Sequence, residues 1–349
     1  MRRSSTALVF VVLAASLGGS LAASAATAND TACRKATISG SASSTEILAY
    51  DACRFDRLDA AVAALKPTTA PTPSPTASST PTPSTAPTAT VTPKPSTTAT
   101  APTTPPSSGK PGSSNTGVPV GTTLTAYTGP KTITTAGTVI DAKDISGTLS
   151  IQAKNVVIRN SKIHGSNAGT GVAVEENGSA TITDSEIYSF EVGITYSNFT
   201  AIRVDLHDLT YDGLKMSSNA RLQDSWIHSP RPTSDAHWDG VQVQNGVVNT
   251  VIQGNNIDGG TADVNSALFL CPDLGPSTNG PLTVTGNWLD GGNFTVNVLD
   301  GNNGQYFIKT ISVTDNRFGN ASKYGRSNVN VPITQSGNVV DSTGAAYSL

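Results

Sequence analysis

Apolar and polar residues follow one short pattern that recurs along most of the second half of the chain. In each copy an apolar residue is followed by polar residues, a Ser or Asn, and then Ile, Leu or Phe. The seven copies are IRNSKI from Ile158, ITDSEI from Ile182, a one-residue-short IRVDL from Ile202, LQDSWI from Leu222, IQGNNI from Ile252, VTGNWL from Val284 and VTDNRF from Val313; a degenerate eighth, IDAKDI, begins at Ile140. They recur about every 20 to 30 residues, a period typical of a solenoid.

A second strand-like piece follows several copies and has the form Gly-apolar-x-apolar. It appears as GVAV from Gly171, GITY from Gly193, GLKM from Gly213 and GVQV from Gly240. Alternation along a strand turns the two apolar side chains inward and the residue between them outward. Because the pieces are too short for helices and are separated by Gly, Asn and Asp, we predict an all-β solenoid of about seven to eight coils, a parallel β-helix. An antiparallel β-sandwich is the alternative, but its hairpin signals are absent.

Equivalent residues of successive copies should stack on one another. The turn position holds Ser or Asn, and we expect these side chains to form a hydrogen-bonded ladder inside the bend: Ser161, Ser185, Ser225, Asn255, Asn287 and Asn316. An outer ladder is predicted for the residues that follow the closing apolar position: His164, Tyr188, His207 and His228. We interpret both ladders as structural.

These repeats resemble the right-handed parallel β-helix of the pectate-lyase-like superfamily, and most of all secreted bacterial β-helix repeat proteins, over roughly residues 117–349. The resemblance implies the fold more than the activity, since such proteins include polysaccharide lyases, glycoside hydrolases, carbohydrate esterases, adhesins and spikes. The ordered Asn-x-Asp, Asp-Asp, Gly-His-Gly and Arg-x-Lys motifs of polygalacturonase-like hydrolases are missing. The calcium-binding aspartates and paired arginines of pectate lyases are also unmatched, so no catalytic residue is carried over.

Composition divides the rest of the chain into three segments. Residues 1–26 combine Arg2 and Arg3 with an apolar run and small residues, which predicts a secretory signal and a secreted, extracellular protein. Residues 27–66 hold an amphipathic helical pattern together with Cys33 and Cys53, which we expect to form a disulfide in an oxidising compartment. Residues 67–116 are almost entirely Pro, Thr, Ser and Ala, a composition that predicts a disordered, extended linker before the β-helix of residues 117–349.

Charge disfavours two classes of partner. The net charge is -3 and only 13% of residues are charged, which supplies neither a basic field for nucleic acid nor a polybasic membrane patch. No segment after the signal is long and apolar enough to insert in a membrane. The many Asn, Ser, Thr and Gly suit a polysaccharide or another glycan as partner, and we expect a monomer.

Asp212 and Asp239 are the leading candidates for catalysis. Each precedes the glycine of a strand piece in successive coils, so they should lie about 4.8 Å apart. Two carboxyl groups at that separation shift each other's pKa values, as acid and base or nucleophile do in glycosidases. The alternative is that Asp-Gly occurs there only because both residues are favoured in turns.

The longer loop between His228 and Gly240 should form one wall of a cleft beside this pair. In a lyase interpretation Lys215 or His237 removes a proton next to a uronate carboxylate while Arg231 or a bound cation neutralises the developing charge. In a hydrolase interpretation the two Asp act alone. Gln242, Trp238 and Arg231 are predicted to bind substrate, with the Trp238 ring facing a sugar.

No cofactor is required by these residues, and no metal site is predicted. Asp212, Asp235 and Asp239 could hold Ca²⁺, but they lack the spacing of a recognised calcium motif. The leading hypothesis is therefore a secreted polysaccharide lyase or glycoside hydrolase with its cleft on the outer face of the β-helix. The competing hypothesis is a non-catalytic glycan-binding or surface-display module.

Overall fold

The computed structural model describes residues 109–349 except 235 and 262. The predicted signal, the segment with Cys33 and Cys53, and nearly all of the predicted linker lie outside the described residues. The described part contains 28 β-strands and no helix, so it has no helix that could cross a membrane. The strands form three parallel sheets, consistent with the predicted right-handed parallel β-helix.

The strands are numbered in chain order and assigned to three sheets. Sheet 1 contains β1 (Thr125–Ala126), β4 (Lys143–Ser146), β7 (Lys162–His164), β10 (Glu186–Tyr188), β13 (Asp205–His207), β16 (Trp226–His228), β19 (Asn256–Asp258), β22 (Trp288–Asp290), β25 (Arg317–Phe318) and β28 (Val339–Val340). Sheet 2 contains β2 (Thr132–Ile133), β5 (Leu149–Ile151), β8 (Thr170–Val174), β11 (Val192–Tyr196), β14 (Asp212–Met216), β17 (Asp239–Val243), β20 (Ser266–Leu270), β23 (Phe294–Val298) and β26 (Gly325–Val329). Sheet 3 contains β3 (Val139–Asp141), β6 (Val156–Arg159), β9 (Ala180–Thr183), β12 (Phe199–Ile202), β15 (Arg221–Gln223), β18 (Thr250–Gln253), β21 (Leu282–Thr285), β24 (Ile311–Thr314) and β27 (Thr334–Ser336).

Each coil runs from sheet 1 through sheet 2 to sheet 3, and the sequence repeat spans the bend from sheet 3 into the next sheet 1 strand. Ile158 pairs with Ile182, and Ile163 pairs with Ile187, so the copies are stacked in register. The described residues form nine complete coils, β1–β3 to β25–β27, followed by β28. This number exceeds the predicted seven to eight because the copies of the motif at the two ends of the solenoid are degenerate.

Two details of the repeat were interpreted incorrectly from the sequence. Ala201, not Ile202, pairs with Ile182, so the third copy is the full-length AIRVDL and has no missing residue. A further copy, from Gln335 to Val340, pairs with the one beginning at Val313. Its polar first residue concealed it, although Asn338 occupies the expected turn position.

The inward rows of the three sheets form one continuous apolar core. On sheets 1 and 2 most of the predicted inward residues are fully buried, including Ile163, Ile187 and Leu206 and the Leu214 and Val241 that follow the strand glycines. The GITY piece is the exception: Tyr196, predicted inward, is half-buried, and Thr195, predicted outward, is buried. The glycines stand where no side chain fits. A Cβ on Gly213 would overlap the carbonyl oxygen of Gly240 in the next coil and press on Ile227, so the backbones of β14 and β17 approach each other closely at this point.

The predicted turn ladder is confirmed and is buried. The Asn255 amide N–H and side-chain Nδ2 both donate to Asn287 Oδ1 at 2.9 Å, and Asn287 donates to Asn316 in the same way. Val204 replaces the hydroxyl or amide in one coil, where its backbone N–H donates to Ser225 Oγ at 3.1 Å. The ladder satisfies buried backbone groups at a bend where no strand pairing is available.

Candidate active site

Asp212 and Asp239 begin the neighbouring strands β14 and β17 of sheet 2. The two residues are paired in register, as the spacing predicted. The Asp239 backbone N–H donates to Asp212 Oδ1 at 3.0 Å. We refer to these two residues as the acid pair.

The acid pair does not face an open trench, contrary to our expectation from the sequence. Asp212 is 0% exposed and Asp239 is 1% exposed. Polar side chains surround the carboxyl groups, among them Lys215 and Gln242 on the outer face of sheet 2. Direct contact with a polymer would therefore require these side chains to move.

Asp239 accepts hydrogen bonds from three side chains. Asn265 Nδ2 donates to its Oδ1 at 2.9 Å, and the Ser266 hydroxyl donates to the same oxygen. Gln242 Nε2 donates to Oδ2 at the longer distance of 3.4 Å. Gln242 Oε1 is buried and has no hydrogen-bond partner among the described residues.

Asp212 has fewer partners than Asp239. Lys215 Nζ lies 3.6 Å from Asp212 Oδ2 and 5.8 Å from the centre of the Tyr211 ring. Apart from this ion pair, Asp212 Oδ2 has no hydrogen bond among the described residues. A buried carboxylate oxygen whose one cationic partner lies beyond hydrogen-bond distance is uncommon in folded proteins, and incompletely satisfied groups of this kind tend to have a functional explanation.

Both carboxyl groups hold protons more tightly than an exposed Asp. Burial raises the pKa of Asp212 to about 7, against the smaller opposing effect of Lys215. Burial first, and then the neighbouring Asp212 charge, raises the pKa of Asp239 well above its usual range, against the hydrogen bonds that it accepts. The acid pair therefore carries a proton at neutral pH, which is the condition for one carboxyl to act as an acid.

An outward row on sheet 2 passes directly beside the acid pair. In successive coils it contains Thr195, Lys215, Gln242 and Phe269 in register. The Lys215 side chain is 27% exposed. Lys215 and Gln242 are thus the residues through which a ligand on this face would reach the acid pair.

His237 and Arg231 are not brought to the acid pair. His237 is exposed in the loop before β17 and forms no hydrogen bond or ion pair with either Asp within the described residues. Arg231 Nε instead forms an ion pair with Asp208 Oδ1 at 2.6 Å, and its side chain is 67% exposed. Neither side chain has the contact that the lyase interpretation expected of it.

Trp238 was wrongly predicted to offer its ring to a sugar. The residue is 0% exposed and belongs to the apolar core. Its carbonyl oxygen accepts hydrogen bonds from the backbone N–H groups of Asn265 and Ser266, so the end of the loop is fixed against the next coil. The indole fills space beneath the loop and is inaccessible to ligand.

Sequence reasoning missed Asn265 and Ser266. Ser266 pairs in register with Asp239 and is the first residue of β20, so it is the next member of the row that contains the acid pair. The signal was available in the alignment of strand starts. It was overlooked because β20 lacks the glycine that marked the earlier strands: Ala267 occupies that position.

Within the described residues no group of three or more His, Cys, Asp or Glu side chains has a metal-binding arrangement. Comparisons with known proteins add no name to this site: no protein-family model, curated protein or solved structure matches the chain. The parallel β-helix fold is compatible with proteins that act on polysaccharides. Further functional argument depends on the geometry of the acid pair.

Proposed function

We propose that this protein is a secreted glycoside hydrolase that cleaves a polysaccharide on the outer face of sheet 2, with Asp212 and Asp239 as its two catalytic carboxyl groups. The observation that supports the proposal most is the buried, proton-holding acid pair, in which Asp212 Oδ2 accepts no hydrogen bond within the described residues and has only the longer ion pair with Lys215. Strongly shifted pKa values in adjacent carboxyl groups are characteristic of acid and base pairs in enzymes.

The two carboxyl groups differ in ways that assign their roles. Asp239, whose pKa is raised by burial and by the neighbouring Asp212 charge, donates its proton to the glycosidic oxygen as the bond between that oxygen and the anomeric carbon breaks. Asp212 Oδ2, beside the Lys215 ammonium, bonds to the anomeric carbon. Water then attacks that carbon, its proton passes to Asp239, and the bond to Asp212 breaks.

Gln242 fits this assignment. A protonated Asp239 Oδ2 needs an acceptor, and turning over the Gln242 amide would present the buried Oε1, which has no partner within the described residues. The adjacent-coil spacing of roughly 4.8 Å is close to the carboxyl separation of about 5 to 5.5 Å in retaining glycosidases. We therefore expect the anomeric configuration to be retained.

Access to the acid pair depends on two side-chain tips. Lys215 Nζ is 3.6 Å from Asp212 Oδ2, and Gln242 Nε2 is 3.4 Å from Asp239 Oδ2. Both distances are long for a hydrogen bond. Both side chains lie on the outer row, and displacing them costs less than unfolding a strand. A bound sugar chain would replace their contacts with its own hydroxyl groups.

The test is a panel of polysaccharides read by a reducing-end assay and by absorbance near 235 nm for unsaturated uronates. We expect new reducing ends without this absorbance, and a loss on the order of 10² to 10⁴ in kcat for Asp239→Asn. His164→Ala is the control, since that residue lies in the outer ladder of sheet 1. An increase at 235 nm would favour a lyase, and full activity in Asp239→Asn would refute the proposal.

A second candidate, a non-catalytic glycan-binding module, is favoured by the near-complete burial of the acid pair. In that case the wild-type chain would bind one or more members of the panel with no product formed. Asp239→Asn would then leave the dissociation constant unchanged.

A further inference from the structure

A cavity of about 290 Å³ lies at the edge where sheet 2 strands begin, the edge that also holds the acid pair, and its lining residues come from later coils. It opens between the loop before β20, the turn before β23 and the segment before β26. Its polar lining is Thr261, Asp263, Asn293 and Lys323, and Val264 and Ala321 provide apolar walls. Within the described residues, no hydrogen bond or ion pair joins any of them directly to the acid pair.

The cavity is connected to the acid pair by a short series of hydrogen bonds. Asn265 Nδ2 donates to Asp239 Oδ1, and the Asn293 backbone N–H donates to the Asn265 carbonyl, both at 2.9 Å. The Tyr324 backbone N–H then donates to the Asn293 carbonyl at 2.8 Å. Since each coil advances roughly 4.8 Å, the cavity begins within two coils of Asp239.

The cavity walls retain free hydrogen-bonding capacity. The Asn293 side-chain amide makes no hydrogen bond within the described residues. Lys323 Nζ is 3.8 Å from Asp263 Oδ1, and the two side chains are 58% and 89% exposed, so neither charge is firmly held. The cavity is therefore surrounded by an amide, an ammonium group, a carboxylate and a hydroxyl. Together these groups can donate to and accept from several ligand hydroxyl groups at once.

Tyr324 supplies a flat apolar surface beside these polar groups. Its side chain is among the few large apolar ones that are strongly exposed, at 65%. The ring contacts Phe294 at 5.9 Å between centroids, and Lys323 Nζ lies 5.3 Å from its centre. An exposed aromatic ring next to donors and acceptors matches a sugar ring, which has apolar faces and a polar edge.

The charges around both features indicate the class of sugar. The acid pair has one nearby cation, Lys215, and the cavity has one cation and one anion, Lys323 and Asp263. There is no excess of positive charge to neutralise a row of uronate carboxylates. A neutral polymer avoids that repulsion.

We propose that this cavity, together with Tyr324, is a subsite that holds a neutral pyranose residue of the polymer while a neighbouring linkage lies over the acid pair. The assignment rests on the proposed function, because it places the cavity on the path of the polysaccharide. A polymer running along the axis of the β-helix would span both. Binding at the cavity would increase affinity for long chains without taking part in bond cleavage.

The test compares wild type, the Lys323→Ala/Tyr324→Ala double variant and the control Lys154→Ala, an exposed lysine far along the chain. The substrates are a set of neutral polysaccharides, polygalacturonate, and a disaccharide of the cleaved neutral polymer. We expect the double variant to raise KM for the neutral polymer about tenfold, to leave kcat near wild type, and to leave disaccharide cleavage unchanged. Circular dichroism verifies the fold of each variant.

Different outcomes overturn the two proposals. If wild type cleaves the neutral polymer and the double variant has the same KM, the subsite proposal is refuted and the proposed function stands. Preference for polygalacturonate refutes the neutral substrate class. If wild type cleaves none of the polymers, the subsite is tested by measuring dissociation constants for the same polymers. Tighter binding by wild type than by the double variant supports the subsite alone. Equal binding, or no binding, refutes the subsite.

Discussion

Two regions of this β-helix stack charged side chains in adjacent coils, and they do so in opposite ways. In the earlier coils of sheet 1, three acids each meet a histidine of a neighbouring coil: Asp144 bonds to His164, Glu186 to His207 and Asp205 to His228, at 3.0 to 3.1 Å. We call these pairs, with the stacked rings of His164, Tyr188, His207 and His228, the sheet 1 ladder. At the start of sheet 2 strands, by contrast, two acids are stacked on each other.

The two regions differ in solvent exposure as clearly as they differ in charge. The acids and bases of the sheet 1 ladder retain side-chain exposures from 15% to 52%, whereas the acid pair is excluded from water. Opposite charges at partly exposed cross-strand positions contribute modest stability. Like charges in a buried site oppose folding, so the acid pair is the arrangement that requires an explanation other than stability.

The largest effect that would sharpen this contrast is the pH dependence of stability at Asp212. Its folded pKa is raised, so the native state binds more protons than the unfolded state between the two pKa values, and stability falls as pH rises through that window. The shift from 3.8 to about 7 corresponds to on the order of 4 kcal/mol lost between about pH 4 and about pH 7. Asp212→Asn should remove the Asp212 part of the pH dependence, since an amide carries no charge, while the part due to the buried Asp239 remains.

Thermal unfolding followed by circular dichroism at both ends of that pH range measures the effect. Asp144→Asn is the matched control, because its carboxylate is 52% exposed and belongs to the sheet 1 ladder. The control should follow the wild-type curve. Equal slopes for wild type and Asp212→Asn would show that Asp212 binds no excess proton in the folded protein.

A smaller effect of opposite sign is expected at Glu186. Hydrogen bonding to His207 and Lys162 lowers the pKa of Glu186 to about 2, despite burial, and two acidic partners raise the pKa of His207 against its own burial. The pair therefore stabilises the fold above the ordinary Glu pKa and below the raised His pKa. Its contribution is lost as pH falls through the Glu186 pKa toward 2, and diminishes as pH rises past the His207 pKa.

Glu186→Gln should cost about 1 to 2 kcal/mol near pH 5.5, and less both at strongly acidic pH and above the raised His207 pKa. Urea unfolding across this range provides the measurement, with the exposed Glu176→Gln as the matched control. A loss independent of pH would indicate that Glu186 acts through packing alone.

The fold could be predicted from the sequence, and so could one feature of the site, the register of Asp212 with Asp239. Period, strand alternation and turn residues all repeat, so errors in one copy, such as the misread third one, did not alter the stacking of the others. The register of Asp212 and Asp239 followed because Gly213 and Gly240 mark the same position in consecutive coils.

Burial and access were not predictable in the same way. Whether the acid pair is open depends on side chains from different coils, such as Lys215 and Asn265, whose contacts have no periodic signature. Trp238 shows the same limit, because it lies outside the strand alternation and packs according to how the loop returns to the next coil. Local loop conformation, rather than the repeat, determines these features.

The smallest expected effect tests whether the stability that a residue of the sheet 1 ladder contributes depends on how many ladder neighbours it has. His164 is the end member, with one ring neighbour, Tyr188 at 5.7 Å, and a side chain that is 32% exposed. His207 has Tyr188 and His228 on its two sides and two acidic partners. His164→Ala should therefore cost less than about 1 kcal/mol, and His207→Ala should cost more, with hydrolysis unchanged in both. Equal losses measured by urea unfolding would mean that position within the ladder is irrelevant, and a loss of hydrolysis would move the functional surface from sheet 2 to sheet 1.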